Sequence, residues 1–186
     1  MKQAISPQTA FQDLTFTSVE EFIAKVLHLD RAGLQENFKI QGHENEGYFE
    51  YCLLERAIGW GSLHRVAGAE MILWDRFGPL ASLPEEQAEK LKRRGIGTLA
   101  QIETCLYIIP LMGSHAERLM IAHHGLSTER RRQLERINIK QEVYLYGLTY
   151  DFAEVFPTYL QKWIDYANSK GFHFENPLGV EIGRRK

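Results

Sequence analysis

Residues 48–74 read YFEYCLLERAIGWGSLHRVAGAEMILW, and the reading of this stretch decides the fold class. Tyr48 to Glu55 is rich in aromatic and apolar residues and short enough for a strand. Residues 65–74 (RVAGAEMILW) have the same character and predict a second strand, with Gly68 as a bulge or a point of close approach. Gly59-Trp60-Gly61 stands between them as a turn, which makes an antiparallel pair. On either side the pattern changes to helical spacing. Ser18 with Glu21 forms a capping box, and Val19, Phe22, Ile23, Val26 and Leu27 recur as one apolar face, so a helix is expected over 18–29 with a stop near Gly33. Residues 42–47 are polar and turn-like. Pro84 followed by acids starts a helix to about residue 93, and a further helix starts near Thr98 with Leu99, Ile102 and Leu106.

The second half repeats the mixture. Residues 118–123 (RLMIAH) and 143–148 (VYLYGL) read as strands, and Ser127 and Thr128 cap a short basic helix to about residue 137. Pro157 opens a helix carrying Leu160, Trp163, Ile164 and Ala167, with Gly171 as its stop and a short strand at 172–174. Helices and strands mix without strict alternation, which predicts an α+β fold with a largely antiparallel sheet. At 186 residues the chain is expected to form one domain, at roughly 150 residues per domain.

Composition narrows the function classes. Hydrophobic residues at 44% and charged residues at 25% are those of a globular chain rather than a disordered tail or a disulfide scaffold. No apolar run approaches the roughly 18 residues of a membrane span, and no apolar segment follows Lys2 as in a signal peptide. A net charge of −2 argues against nucleic-acid binding through the whole surface. Cys52 and Cys105 lack CxxC spacing and sit in apolar surroundings. They read as buried free thiols of a reducing, cytoplasmic setting, with a disulfide as the alternative.

One stretch carries chemistry: Lys92-Arg93-Arg94-Gly95-Ile96-Gly97-Thr98. Glycines let a backbone approach a ligand without a Cβ in the way. A helix start offers unpaired N–H groups and partial positive charge, so a cationic triplet before it makes an anion cradle for a phosphate or pyrophosphate. Through Lys92, Gly95 and Gly97 this stretch resembles the acyl-CoA loop of the GNAT superfamily of N-acetyltransferases. The resemblance spans about residues 64–124. It implies an α+β acyltransferase that moves an acyl group from acyl-CoA, or from an acyl carrier protein thioester, to an amine of a small molecule, peptide or protein. It implies that the backbone of Lys92, Arg93, Arg94, Gly95, Ile96, Gly97 and Thr98 faces the coenzyme pyrophosphate, and that the strand near 66–74 receives the pantetheine arm. It also implies a base that deprotonates the amine, for which Glu70 matches by position and His123 is the second candidate. Tyr146 or Tyr150 then returns a proton to the departing thiolate.

Other readings stand beside this one. Gly95–Gly97 can be an ordinary break between two helices. The same Gly-hydrophobic-Gly pattern fits a helix-hairpin-helix that holds a nucleic-acid phosphate, although Ala100 comes one place early for that motif. His115, His123 and His124, with Glu117 and Glu129, could hold a metal, or one histidine could act as a general base. Arg130, Arg131, Arg132 and Arg136 form a basic helix start, solvated or facing an acidic partner. Tyr144, Tyr146 and Tyr150 pack in the core, line a pocket or meet a second copy of the chain. A non-enzymatic interaction module with the same fold accounts for the lack of a complete catalytic set.

Overall fold

The structure is a computed structural model that describes residues 18–43, 47–66, 71–76, 78–111, 118–123, 132, 147–151 and 156–179. Six strands form one sheet in the order β1 to β6: β1 (Phe38–His43), β2 (Tyr48–Leu53), β3 (Arg56–Val66), β4 (Met71–Arg76), β5 (Arg118–His123) and β6 (Gly147–Asp151). All neighbours pair antiparallel except β4 and β5, which run parallel. The helices are α1 (Val19–His28), α2 (Arg31–Glu36), α3 (Glu85–Leu91), α4 (Ile96–Ile108) and α5 (Phe156–Asn168). The fold is α+β with a largely antiparallel sheet, as the mixed pattern predicts. A parallel pair needs a crossover, and the chain from β4 to β5 makes it through α3 and α4.

The helix ends follow local chemistry. Ser18 accepts a hydrogen bond from the Glu21 amide at 3.1 Å and fixes the start of α1. Gly33 does not stop a helix. Asp30 accepts from the Gly33 amide at 2.8 Å, and this cap begins a second short helix, α2, with Gly33 inside it. α5 closes in a Schellman motif: the Phe172 amide reaches the Ala167 carbonyl, the Gly171 amide reaches Asn168, and Gly171 takes a φ of 90°. Residues 172–174 are not a strand. Their backbone is held by side chains instead: Gln35 brackets the peptide groups of His173, and Asn168 brackets those of Phe174.

The strands differ from the sequence reading in one instructive way. The segment Gly59-Trp60-Gly61 is no turn but lies inside the long strand β3. The hairpin turn is Leu54-Glu55, where both residues have positive φ (49° and 65°), as a two-residue type I′ turn demands. Stretch 65–74 divides between β3 and β4, while residues 42–43 extend β1 rather than turning. Gly61 stays in the strand because the Phe49 ring from β2 lies over it, and the Gly78-Pro79 backbone packs on Gly59. Residues 143–146 and the basic helix expected over 127–137 lie outside the described residues, apart from exposed Arg132.

The core gathers on the face of the sheet that carries Phe38, Phe49, Tyr51 and Leu53. α4 lies on it. Thr104 donates to the Ala100 carbonyl and sits 3.4 Å from the Tyr51 hydroxyl, while Tyr107 packs over Gly42 and Phe49. Gln101, fully buried, donates to the Tyr159 hydroxyl of α5 at 3.0 Å. Trp74, Trp163 and the free thiol of Cys105 are buried in this core, and the free thiol of Cys52 is buried outside it. Among the described residues no helix is long and apolar enough to cross a membrane.

Candidate functional site

The glycine turn lies between two helices. Lys92 ends α3, and Gly95 is the N-cap of α4 with a φ of 92°, a left-handed conformation that favours glycine. Arg93 also has positive φ, at 67°. The amides of Thr98 and Leu99 both return to the Gly95 carbonyl. Those of Ile96 and Gly97 are the first two of the helix and have no carbonyl within it. Lys92 and Arg93 are exposed, and a Cβ built on Gly97 would meet no atom within 4 Å, so the turn is open on that side.

Its other side is closed. Arg94 turns inward, and its guanidinium donates to the carbonyls of Val26, Leu27 and Leu29. These are carbonyls at the end of α1, where cations are favoured, so Arg94 fastens the turn to α1. Arg31 of α2 donates to the Arg93 carbonyl at 3.2 Å, and its guanidinium lies 5.3 Å from the Phe172 ring centroid. The Arg31 guanidinium and the Phe172 ring together fill the space where a Gly95 Cβ would stand. Burial and neighbouring Arg94 both lower the Arg31 pKa, the mark of two cations pressed into one corner. Arg94 is therefore a structural tether. The side chains of Ile96 and Thr98 are buried, and the Thr98 amide is taken up by the Gly95 carbonyl, which leaves those of Ile96 and Gly97 at the helix start.

The sequence-predicted proton-transfer residues are placed as follows. Glu70 and Tyr146 lie outside the described residues, as do His115 and His124. His123 is the last residue of β5, in register with Arg76 at the end of β4. Tyr150 lies on β6 opposite Leu119, four residues back along β5 from His123, which is roughly 13 Å of strand. The backbone therefore does not bring His123 and Tyr150 together. The pyrophosphate loop of the GNAT family follows its strand directly, whereas α3 here stands between β4 and the turn. Among the described residues no three His, Cys, Asp or Glu side chains come together as a metal site.

A second polar group was not singled out from the sequence. Glu50 on β2 is 3% exposed and lies across from Gln41 of β1 and Trp60 of β3. Its Oε2 is 3.4 Å from Nε2 of His43, an ion-pair distance rather than an aligned hydrogen bond, and that nitrogen is buried. The His43 ring stacks on Tyr48 at 4.4 Å. Burial pushes the Glu50 carboxyl above the ordinary range, and His43 partly offsets this. The signal was present in the alternation of β2: Phe49, Tyr51 and Leu53 alternate with Tyr48, Glu50 and Cys52, so one face carries a carboxylate. A turn over residues 42–47 would leave His43 off that face, whereas β1 extends through it.

A comparison with protein-family models finds none that matches this chain, and a comparison with curated proteins finds no match.

Proposed function

We propose that the chain is an acyl-CoA-dependent N-acyltransferase whose coenzyme pyrophosphate rests on the open side of the turn at Lys92, Arg93 and Gly97. The observation that carries this reading is the start of α4. Two helix amides without an intrahelical carbonyl, a glycine open to space and exposed Arg93 stand at one turn beside Lys92, whose ammonium pairs with Glu89 and would have to exchange that partner for the pyrophosphate. The parallel pair within an otherwise antiparallel sheet adds support, because its crossover runs through this helix. The donor would be acyl-CoA or an acyl carrier protein thioester, and the acceptor an amine.

The reaction asks little of the protein: a held thioester, a deprotonated amine and donors for the tetrahedral oxyanion. The amine nitrogen attacks the thioester carbon, the C–S bond breaks, and the thiolate takes up a proton. In this reading Glu70 or His123 takes the amine's proton, and Tyr146 or Tyr150 supplies the thiolate's.

The test is acetyl-CoA binding by calorimetry and thermal shift, since a ligand of the native state raises its melting temperature. Lys92→Ala and Arg93→Ala touch exposed side chains. Each is expected to weaken acetyl-CoA by about tenfold or more, the size of a lost charge-assisted contact. Wild-type affinity in both variants, or no binding by the native chain, rejects the reading. A variant at Gly95 is unsuitable because that position is packed.

A second reading is favoured by Arg94 and Arg31. Their hydrogen bonds to α1 and to Arg93 make the turn a clasp between helices, as a non-enzymatic interaction module would use it. No acetyl-CoA binding, together with loss of stability in Arg94→Ala, supports that reading.

A further inference from the structure

We propose that His43 and Glu50 form a proton-accepting pair for a ligand that presents a protonated amine or an acidic O–H on the polar face of strands β1 to β3. This goes beyond the acyl-CoA reading and stands apart from the glycine turn. α4 covers the face bearing Phe49 and Tyr51, and by strand alternation the pair lies on the opposite face.

The geometry is that of an oriented base. A carboxylate side chain 5% exposed stands behind an imidazole 26% exposed, so the ligand reaches the ring before the acid. The Glu50 carboxylate lies 3.4 Å from Nε2, so its charge favours the tautomer with the proton on that nitrogen and leaves Nδ1 with its lone pair. The Tyr48 ring, stacked nearly parallel at 13°, holds the imidazole plane. The proton leaves the ligand nitrogen or oxygen for Nδ1, and the imidazolium that forms is held by the Glu50 carboxylate at Nε2. No further reactant is needed.

Among the described residues Glu50 has His43 as a loosely aligned partner, and a buried carboxylate so placed is costly to keep as packing alone. Among the described side chains the other titratable groups on this face are Tyr48, Lys39, which pairs with Glu55 at 3.7 Å, buried Cys52, and exposed His64 of β3 near Gly47; by register Asp75, Arg118 and Asp151 occupy positions on the same face of β4 to β6. One row of the sheet runs from this pair to the end of the parallel strands: His43, Tyr48, Ser62, Asp75 and Ala122. A ligand on the pair therefore lies along a continuous backbone row.

The test uses p-nitrophenyl acetate with methylamine as acceptor, read as nitrophenolate release between pH 5.5 and 9, on the full chain. Neither reagent involves a coenzyme, so the result is independent of acetyl-CoA binding. His43→Gln is expected to lower the rate by about tenfold or more, the scale of a lost general base. Glu50→Gln keeps the ring and is expected to change the pH profile as well as the rate. Lys39→Ala leaves both unchanged. Circular dichroism and the melting temperature confirm that each variant folds. Should either His43→Gln or Glu50→Gln fail to fold, brief treatment of the native chain with diethyl pyrocarbonate decides instead. Mass spectrometry is then expected to find His43 modified no more slowly than exposed His28. Equal nitrophenolate rates in the native and His43→Gln chains, or an unmodified His43 beside a modified His28, overturns the proposal.

Discussion

The molecule contains the pattern Gly-x-Gly twice in near-identical dress, Gly59-Trp60-Gly61 and Gly95-Ile96-Gly97, and uses it in opposite ways. In β3 the glycines are small so that something else can come close: the Phe49 ring over Gly61 and the backbone of residues 78–79 against Gly59. In the α3–α4 turn only the first glycine is crowded, and its left-handed φ of 92° is what the turn requires. The second glycine there faces open space. The pattern alone therefore does not distinguish close packing, backbone freedom and ligand access. What each glycine meets does.

Each pattern also shares its element or its neighbouring strand with a carboxylate partly or wholly removed from water. Trp60 lies across from Glu50, and α4 carries Glu103, whose carboxyl burial pushes up to about 7. The largest effect expected is at Glu103. Its folded pKa exceeds the ordinary 4.5, so the folded state is at its most favourable below that value, and stability is lost as pH rises through about 7. The loss is up to about 3 kcal/mol, from 1.36 kcal/mol per pKa unit. Glu103→Gln is expected to abolish most of the fall between pH 5 and pH 8. Urea unfolding at both values checks it, and an undiminished fall in the variant assigns the pH dependence elsewhere.

Next comes Gly59→Ala. Its Cβ would meet the carbonyl of Gly78 and the backbone of Pro79, and backbone cannot rotate aside as a side chain can. A loss of about 2 to 3 kcal/mol is expected, the upper range for overpacking. Gly95→Ala should cost somewhat less, about 2 kcal/mol, from the left-handed backbone and from crowding by movable parts of Arg31 and Phe172. Denaturant midpoints order the two. A larger loss at Gly95 than at Gly59 would reverse the distinction between rigid and yielding neighbours.

The α+β class, the strand at residues 118–123 and the boundaries of α1, α3 and α5 were legible because each has a local cause: a cap, a proline or an apolar period; the parallel pairing of that strand with β4 was not, because it depends on the crossover through α3 and α4. The β2–β3 turn was not legible, because Leu54 and Glu55 are poor residues for positive φ. Arg56 and Leu53 pair across them, and tertiary packing of Leu53 and Ile58 overrides the turn preference. The strand character of Gly59–Gly61 depends on Phe49, ten and more residues away in sequence. At the candidate site, the exposed cations at 92 and 93 and the helix start were legible. The inward turn of Arg94 was not, since its partners are carbonyls at residues 26–29 and no local pattern announces them.

The smallest effect separates the two uses of the turn most sharply. At Gly97→Ala the new Cβ meets nothing, and alanine is the better helix former, so stability is expected to rise by about 0.5 to 1 kcal/mol. A protein in which the turn is only a clasp shows that gain and nothing more. A pyrophosphate seated on the Ile96 and Gly97 amides needs the backbone bare, so the same methyl would raise the melting temperature of the free chain while lowering its affinity for acetyl-CoA. A gain in stability with acetyl-CoA affinity undiminished would place the coenzyme away from the helix start, and the acyltransferase reading would then lose the observation that carries it.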